Sequence, residues 1–184
     1  MSNNDLVQVI IDDHRAVETV FKELEEHTDE PQRRRDLVDH VITELVKHSV
    51  AEEQYMYPAA REHIPNGDKL TEHEIQEHAE AERVMKDLER LEVTDPAFDE
   101  KLGTLMADIR HHVEDEEDEL LPLLQEHCSD EQLQELGAHV LRAKKVAPTR
   151  PHPSAPDTPP ANMIIDPGAG LVDRIRDRIS ERSN

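Results

Sequence analysis

Apolar residues recur at helical spacing through most of the chain. Leu6, Ile10, Val17, Phe21 and Leu24 share one stripe of a stretch running roughly from Asp5 to His27. A second stretch opens near Pro31, a favourable first-turn residue, and runs to about His63 on the stripe Leu37, Val41 and Leu45. Pro65, Asn66 and Gly67 mark a turn. A third helix is predicted from about Lys69 to Leu91, turning Leu70, Met85, Leu88 and Leu91 inward. Asp95 caps a fourth that opens at Pro96, carries Leu102, Leu105 and Ile109, and extends to about His127. Ser129 and Gln132 form a capping box for a shorter fifth helix with Leu133, Leu136 and Val140 inward. Connections this short make neighbours antiparallel. The pattern predicts an all-α, up-down four-helix bundle with a short fifth helix and a Pro-rich tail.

The composition shifts after Lys145. Residues 146–170 hold seven of the 12 prolines and read as an extended, mobile linker. It leads to a narrow amphipathic stretch from Gly170 to Arg182, with Leu171, Ile175 and Ile179 spaced four apart. That stretch reads as a weak helix folding back on the bundle or, more sharply, as one that binds a protein partner. The chain thus divides into a helical domain, 1–145, and a tail, 146–184.

Net charge is −22, which argues against a nucleic-acid partner, because phosphate backbones are met by Lys and Arg. The N-terminus MSNNDLVQVIIDDHR lacks the features of a secretory signal, and no apolar run approaches the roughly 20 residues of a membrane span. The single cysteine, Cys128, fits a reducing compartment. These features predict a soluble cytoplasmic protein.

The chemistry lies in an internal echo. Residues 48–58, HSVAEEQYMYP, and 112–122, HVEDEEDELLP, both read H-x-x-x-E-E-x-x-x-x-P. Positions four apart lie only about 40° apart on a helix, so His48 with Glu52, and His112 with Glu116, project side by side. Both pairs continue the apolar stripes of their helices, so they face the core. A buried carboxylate needs compensation, and a metal ion supplies it. His14 sits between Ile10 and Val17 on the first stripe; Glu74 and His78 lie on the third, after Leu70 and before Ala81 and Met85. The candidate ligands are therefore His14, His48, Glu52, Glu74, His78, His112 and Glu116. Two carboxylates can bridge two metals while four imidazoles cap them. Such mixed ligation suits iron, and also manganese or zinc. A structural zinc bundle stays open, to be separated by metal analysis and an optical spectrum.

The other histidines read as surface residues. His73 lies about 140° from His78, and His111 about 140° from Glu116, off the inner face of a regular helix. Pro58 and Pro122 predict bends. Tyr55 and Tyr57 could both line the pocket; Tyr55, one turn beyond Glu52, is the better candidate, with an ordinary core role as the equal alternative.

The ordered elements DDH ending at His14, H-x-x-x-E-E at 48–53, EHAEAE around His78 and H-x-x-x-E-E at 112–117 resemble the hemerythrin-like HHE cation-binding family over roughly residues 5–127. The terminal GLVDRIRDRI stretch resembles extensions on actinobacterial members. The resemblance implies a non-haem pair of iron ions, oxo- or hydroxo-bridged, that meets hydrogen peroxide, dioxygen or nitric oxide. Oxygen carriers of the family have H-x-x-x-H in the third helix, where this chain has Glu74, and H-x-x-x-x-D in the fourth, a spacing met by His111 and Glu116. An extra carboxylate favours ferric iron. Catalase-like peroxide disproportionation, as oxidative-stress protection, therefore ranks first, and a dioxygen- or nitric oxide-binding or sensing module second. A ferritin-like oxidase would use E-x-x-H pairs, and no histidine here has Glu three residues before it.

Overall fold

The computed structural model describes residues 5–27, 29–154, 169–170, 172–173 and 177. Secondary structure among them is entirely helical. Helix α1 spans Leu6–Glu26, and Asp5 caps it by accepting a hydrogen bond from the Gln8 amide at 2.9 Å. Helix α2 (Pro31–Ala51) passes through a wider π turn, π1 (Glu52–Met56), into α3 (Tyr57–His63). Helix α4 covers Gly67–Leu88. Helix α5 (Pro96–Asp115) likewise passes through π2 (Glu116–Leu120) into α6 (Leu121–His127). Helix α7, Asp130–Lys144, begins at the expected Ser129–Gln132 capping box.

The two π turns correct the reading of the second and fourth helices as regular. Each ends just before a proline. Pro58 and Pro122 have no N–H, and each ring presses on the carbonyl four residues earlier. Admitting one extra residue per turn relieves that crowding: Tyr57 N–H reaches the Glu52 carbonyl, and Leu121 N–H reaches that of Glu116.

Helices α1 and α2 pack together, as do α4 and α5, and α7 lies across α1, α2 and π1. The α3–α4 corner is tight. Asn66 takes a left-handed conformation at φ 61°, and a Cβ on Gly67 would collide with the Ala60 carbonyl. The core falls into two apolar halves. One gathers Leu6, Ile10, Met56, Leu120, Leu124 and Val140; the other gathers Phe21, Ile42, Met85, Leu88, Phe98 and Leu105. The candidate ligands form a polar layer between them.

The segment after Lys145 is not the extended, mobile linker that its prolines suggest, as far as Ser154. Ala147 and Thr149 are buried. The Thr149 carbonyl accepts from Thr43 of α2 at 3.3 Å, Arg150 pairs with Glu89 at 3.3 Å, and the His152 amide donates to Glu82 of α4 at 2.8 Å. Asp173 and Asp177, both fully buried, bind this strap from the tail: Asp173 accepts from the Thr149 and Arg150 amides, and Asp177 pairs with Arg150 at 2.7 Å. The stripe residues Leu171, Ile175 and Ile179 lie outside the described residues. No helix among the described residues is long and apolar enough to cross a membrane.

Candidate metal centre

The seven predicted residues converge on one layer, each at most 5% exposed. Helix α1 brings His14, α2 His48 and π1 Glu52. Helix α4 brings Glu74 and His78, α5 His112 and π2 Glu116. The carboxylate of Glu52 spans two imidazoles, with Oε1 at 2.9 Å from His48 Nε2 and Oε2 at 3.4 Å from His78 Nε2. Glu116 spans the other two, with Oε2 at 3.4 Å from His14 Nε2 and Oε1 at 3.8 Å from His112 Nε2. Two groupings of ligand atoms, each within 4.8 Å, result: His14, His48, Glu52 and Glu116 in one, and Glu52, His78 and His112 in another. Glu74 joins His112 and Glu116 in a third. Its Oε2 lies on the outer side of His112, 2.9 Å from Nδ1.

The residues fit a bound cation. Both Glu52 oxygens, Glu116 Oε2, Glu74 Oε2 and His14 Nε2 are buried without a hydrogen-bond partner, since the short contacts above lack hydrogen-bond alignment. Leaving one buried carboxylate unmatched costs several kcal/mol, and here three share one layer. Bound cations would satisfy them, and the ligand atoms fall into more than one grouping that could hold an ion.

Sequence reasoning missed a ring of four acids around this layer. Each sits beside a ligand on its own helix and engages the Nδ1 of a histidine on another. Asp13 reaches His48 at 3.3 Å, Glu53 His78 at 2.9 Å, Glu77 His112 at 3.0 Å, and Glu117 His14 at 2.9 Å. The circuit runs from α1 to π1 to α4 to π2 and back to α1. A carboxylate at Nδ1 fixes the ring's orientation and aims Nε2 inward. Two of the acids are themselves pinned, Asp13 by Lys144 of α7 at 2.5 Å and Glu117 by Arg15 at 2.5 Å. The signal was present in the letters DDH, HxxxEE and EHAE, where every outer acid adjoins an inner ligand.

These acids set the electrostatics. Burial opposes charge on His48, but Glu52 and Asp13 outweigh it and raise the ring to about 10. His78 rises to about 9 despite burial, through Glu52 and Glu53. His112 also goes up despite burial, through Glu116, Glu74 and Glu77. Burial would raise Glu52, but His48 and His78 hold it well below the usual carboxylate range. For Glu74, burial prevails and its carboxyl is raised.

Tyr57, not Tyr55, lines the layer. The π turn rotates the following helix by one residue, so the side chain five after Glu52 faces inward. The Tyr57 phenol donates to Glu116 Oε1 at 3.0 Å and lies 3.1 Å from His78 Nε2. Burial, and then Glu116, push it well above its ordinary value, so it stays protonated. Tyr55 is half-buried and packs on His139 of α7, with centroids 5.2 Å apart. His111 is 65% exposed and pairs with Asp115, outside the layer.

An all-helical protein with four imidazoles and three carboxylates turned onto one buried layer is a metal-binding helical protein. The chain belongs to the hemerythrin HHE cation-binding domain family, whose model matches residues 5–124. It is 27% identical over 173 residues to an uncharacterised hemerythrin-like protein of Schizosaccharomyces pombe, covering 94% of this chain and 85% of that one. It is also 27% identical over 140 residues to a DNA nickase of a Nostoc species, covering 76% of this chain but only 39% of the nickase. A hemerythrin HHE cation-binding domain-containing protein from Mycobacterium kansasii has a similar crystal structure. The TM-score is 0.67 at 21% identity, over 77% of this chain and 85% of that one, a likeness of fold.

Proposed function

We propose that the helical rods form an up-down four-helix bundle around a pair of iron ions, and that the protein disproportionates hydrogen peroxide as protection against oxidative stress. His14 and His48 would cap one ion, and His78 and His112 the other. Glu52 and Glu116 would bridge them, since each carboxylate already spans one imidazole from each pair. Glu74 completes the set. A bound iron pair supplies the two-electron redox chemistry by which two molecules of peroxide give two of water and one of dioxygen.

The observation that carries the reading is Glu74, a third buried carboxylate in the layer, which groups with His112 and Glu116. It adds negative charge beside the ions, and that favours the ferric state over the diferrous state a reversible carrier needs. Burial raises its carboxyl, so it would also hold or release a proton at this layer. The protonated Tyr57 phenol, hydrogen-bonded to Glu116, holds a second proton at the same layer. A nucleic-acid substrate is not proposed, because the chain's net charge of −22 opposes a phosphate backbone.

A second reading, dioxygen or nitric oxide binding without turnover, draws on one observation. A narrow cavity lined by Val17, Leu45, Ile109 and Val113 opens onto the four histidines, and an apolar passage suits a diatomic gas. Adding peroxide to the oxidised iron-loaded protein at an oxygen electrode tests the choice. We expect dioxygen release, and no stable adduct when the reduced protein meets air. A reversible oxygenated spectrum with negligible dioxygen release would overturn the first reading in favour of the second.

A further inference from the structure

Outside the buried layer, α4 and α5 repeat its ligand grammar on the surface. Helix α4 carries His73 and Glu77 four residues apart, and α5 carries His111 and Asp115 at the same spacing. The two helices pack side by side. His73 Nε2 lies 3.6 Å from Glu77 Oε1 and 3.9 Å from Asp115 Oδ2, and one ligand atom from each residue falls within 4.8 Å of the others. Ligand atoms on an ion at about 2.1 Å stand about 3.0–3.4 Å apart, so His73 has only a few tenths of an ångström to close on either carboxylate, and the two carboxylates close on each other from within 4.8 Å. His73 is 59% exposed and Asp115 36%, and both side chains can swing that far.

Solvated i,i+4 pairs are common on acidic helices and by themselves mean little. Glu77 separates this cluster from such pairs, because it faces two ways. Its Oε2 engages Nδ1 of the inner ligand His112 at 3.0 Å, while Oε1 faces His73. Elsewhere in the outer ring, Asp13 is pinned by the ammonium of Lys144 and Glu117 by the guanidinium of Arg15. At Glu77 the corresponding place holds an imidazole and a second carboxylate, Asp115. A metal ion there would supply the cation that Lys144 and Arg15 supply at the other two. A surface cleft lined by Glu77, Glu80, Asp108, His111, His78 and His112 shares Glu77 with this cluster and reaches two of the inner imidazoles.

We propose that His73, Glu77 and Asp115 form an outer site for a divalent transition-metal ion, which docks there before passing along the acidic cleft to the inner layer. The imidazole selects first-row transition ions over magnesium and calcium, which prefer all-oxygen cages. The shared Glu77 places the docked ion one side chain away from His112. The inference rests on reading the inner layer as an iron centre.

Two measurements on the full-length protein test it. First, the iron-loaded protein is titrated calorimetrically with zinc. One further zinc ion per chain is expected, weakened about tenfold or more by His73→Ala and by Asp115→Asn, and lost in the double variant, with bound iron unchanged. No further zinc ion, or one held equally by the double variant, overturns the site. Second, metal-free protein is given ferrous iron without oxygen, and uptake is followed in time. The double variant should fill severalfold more slowly and reach the same iron content; an unchanged rate overturns the docking role. Failure of the inner reading looks different. The wild-type chain would then take up no iron, while zinc binding would still depend on His73.

Discussion

The segments His48–Pro58 and His112–Pro122 share ligand spacing, π turn and proline, yet they wall the buried layer differently. Five residues after the ligand glutamate, the first presents Tyr57 and the second Leu121. Both are buried, but only Tyr57 brings a proton to the layer. The glutamates that follow the ligands differ too. The Glu53 side chain is 9% exposed and holds His78, whereas the Glu117 side chain is 21% exposed and is shared between His14 and Arg15. The repeat thus fixes a common frame of ligands, while an unlike residue at the fifth position, Tyr57 in one segment and Leu121 in the other, makes the first protic and the second apolar. A centre built this way has two ends that need not do the same work.

The strongest way to break the comparison is to remove its shared element. His48→Ala and His112→Ala should each strip iron from the protein and abolish its diferric absorption, because each deletes an inner imidazole beside a buried carboxylate. Losing one partner of such a pair costs about 3–5 kcal/mol in stability as well. His111→Ala should keep both iron and spectrum. Iron analysis and an optical spectrum decide the matter, and the reverse result at 111 and 112 would show that α5 uses the longer spacing.

Smaller effects should come from the outer acids. Glu53→Gln and Glu117→Gln should each weaken iron binding, measured against a competing chelator, by about 10–100-fold. The larger loss should fall at the more buried Glu53, and equal losses would mean that the surroundings of the two repeats do not matter for affinity. Finest of all is the contrast at the fifth position. At constant iron content, Tyr57→Phe should lower peroxide-driven dioxygen release by about tenfold or more, while the volume-conserving Leu121→Met should leave it nearly unchanged. Equal rates in Tyr57→Phe and wild type would deny the phenol any part in the reaction.

Which parts of this were legible in the sequence follows a physical rule. The inner histidines and glutamates continue apolar stripes, and periodicity exposes such residues whatever the later distortion, because both π turns begin at the ligand glutamates and spare the His-to-Glu step. Tyr57 escapes periodicity because it lies beyond the distortion, where a regular helix favours Tyr55. The sign is the proline six residues after each ligand glutamate, which marks a π turn and not only a bend. The outer acids were overlooked because their partners lie on other helices, and single-helix geometry cannot show a contact between helices. The strap at Thr149–His152 was hidden for a similar reason: proline content reports that a segment is not helical, not whether it is bound.

The raised imidazoles of the buried layer carry a further consequence. His48 at about 10, His78 at about 9 and His112, also raised, hold protons around neutrality when no metal is present. A ligating imidazole must give that proton up. Protons and a metal ion are thus rival occupants of one cage, and filling it is an exchange that acidifies the medium. Acid should favour release of the ions and alkali their retention. The metal-free protein has the opposite preference. The support it draws from these charged rings is complete below the ordinary imidazole value and drains away as pH rises through about 9 to 10. What steadies the empty protein is the same charge that the metal must displace.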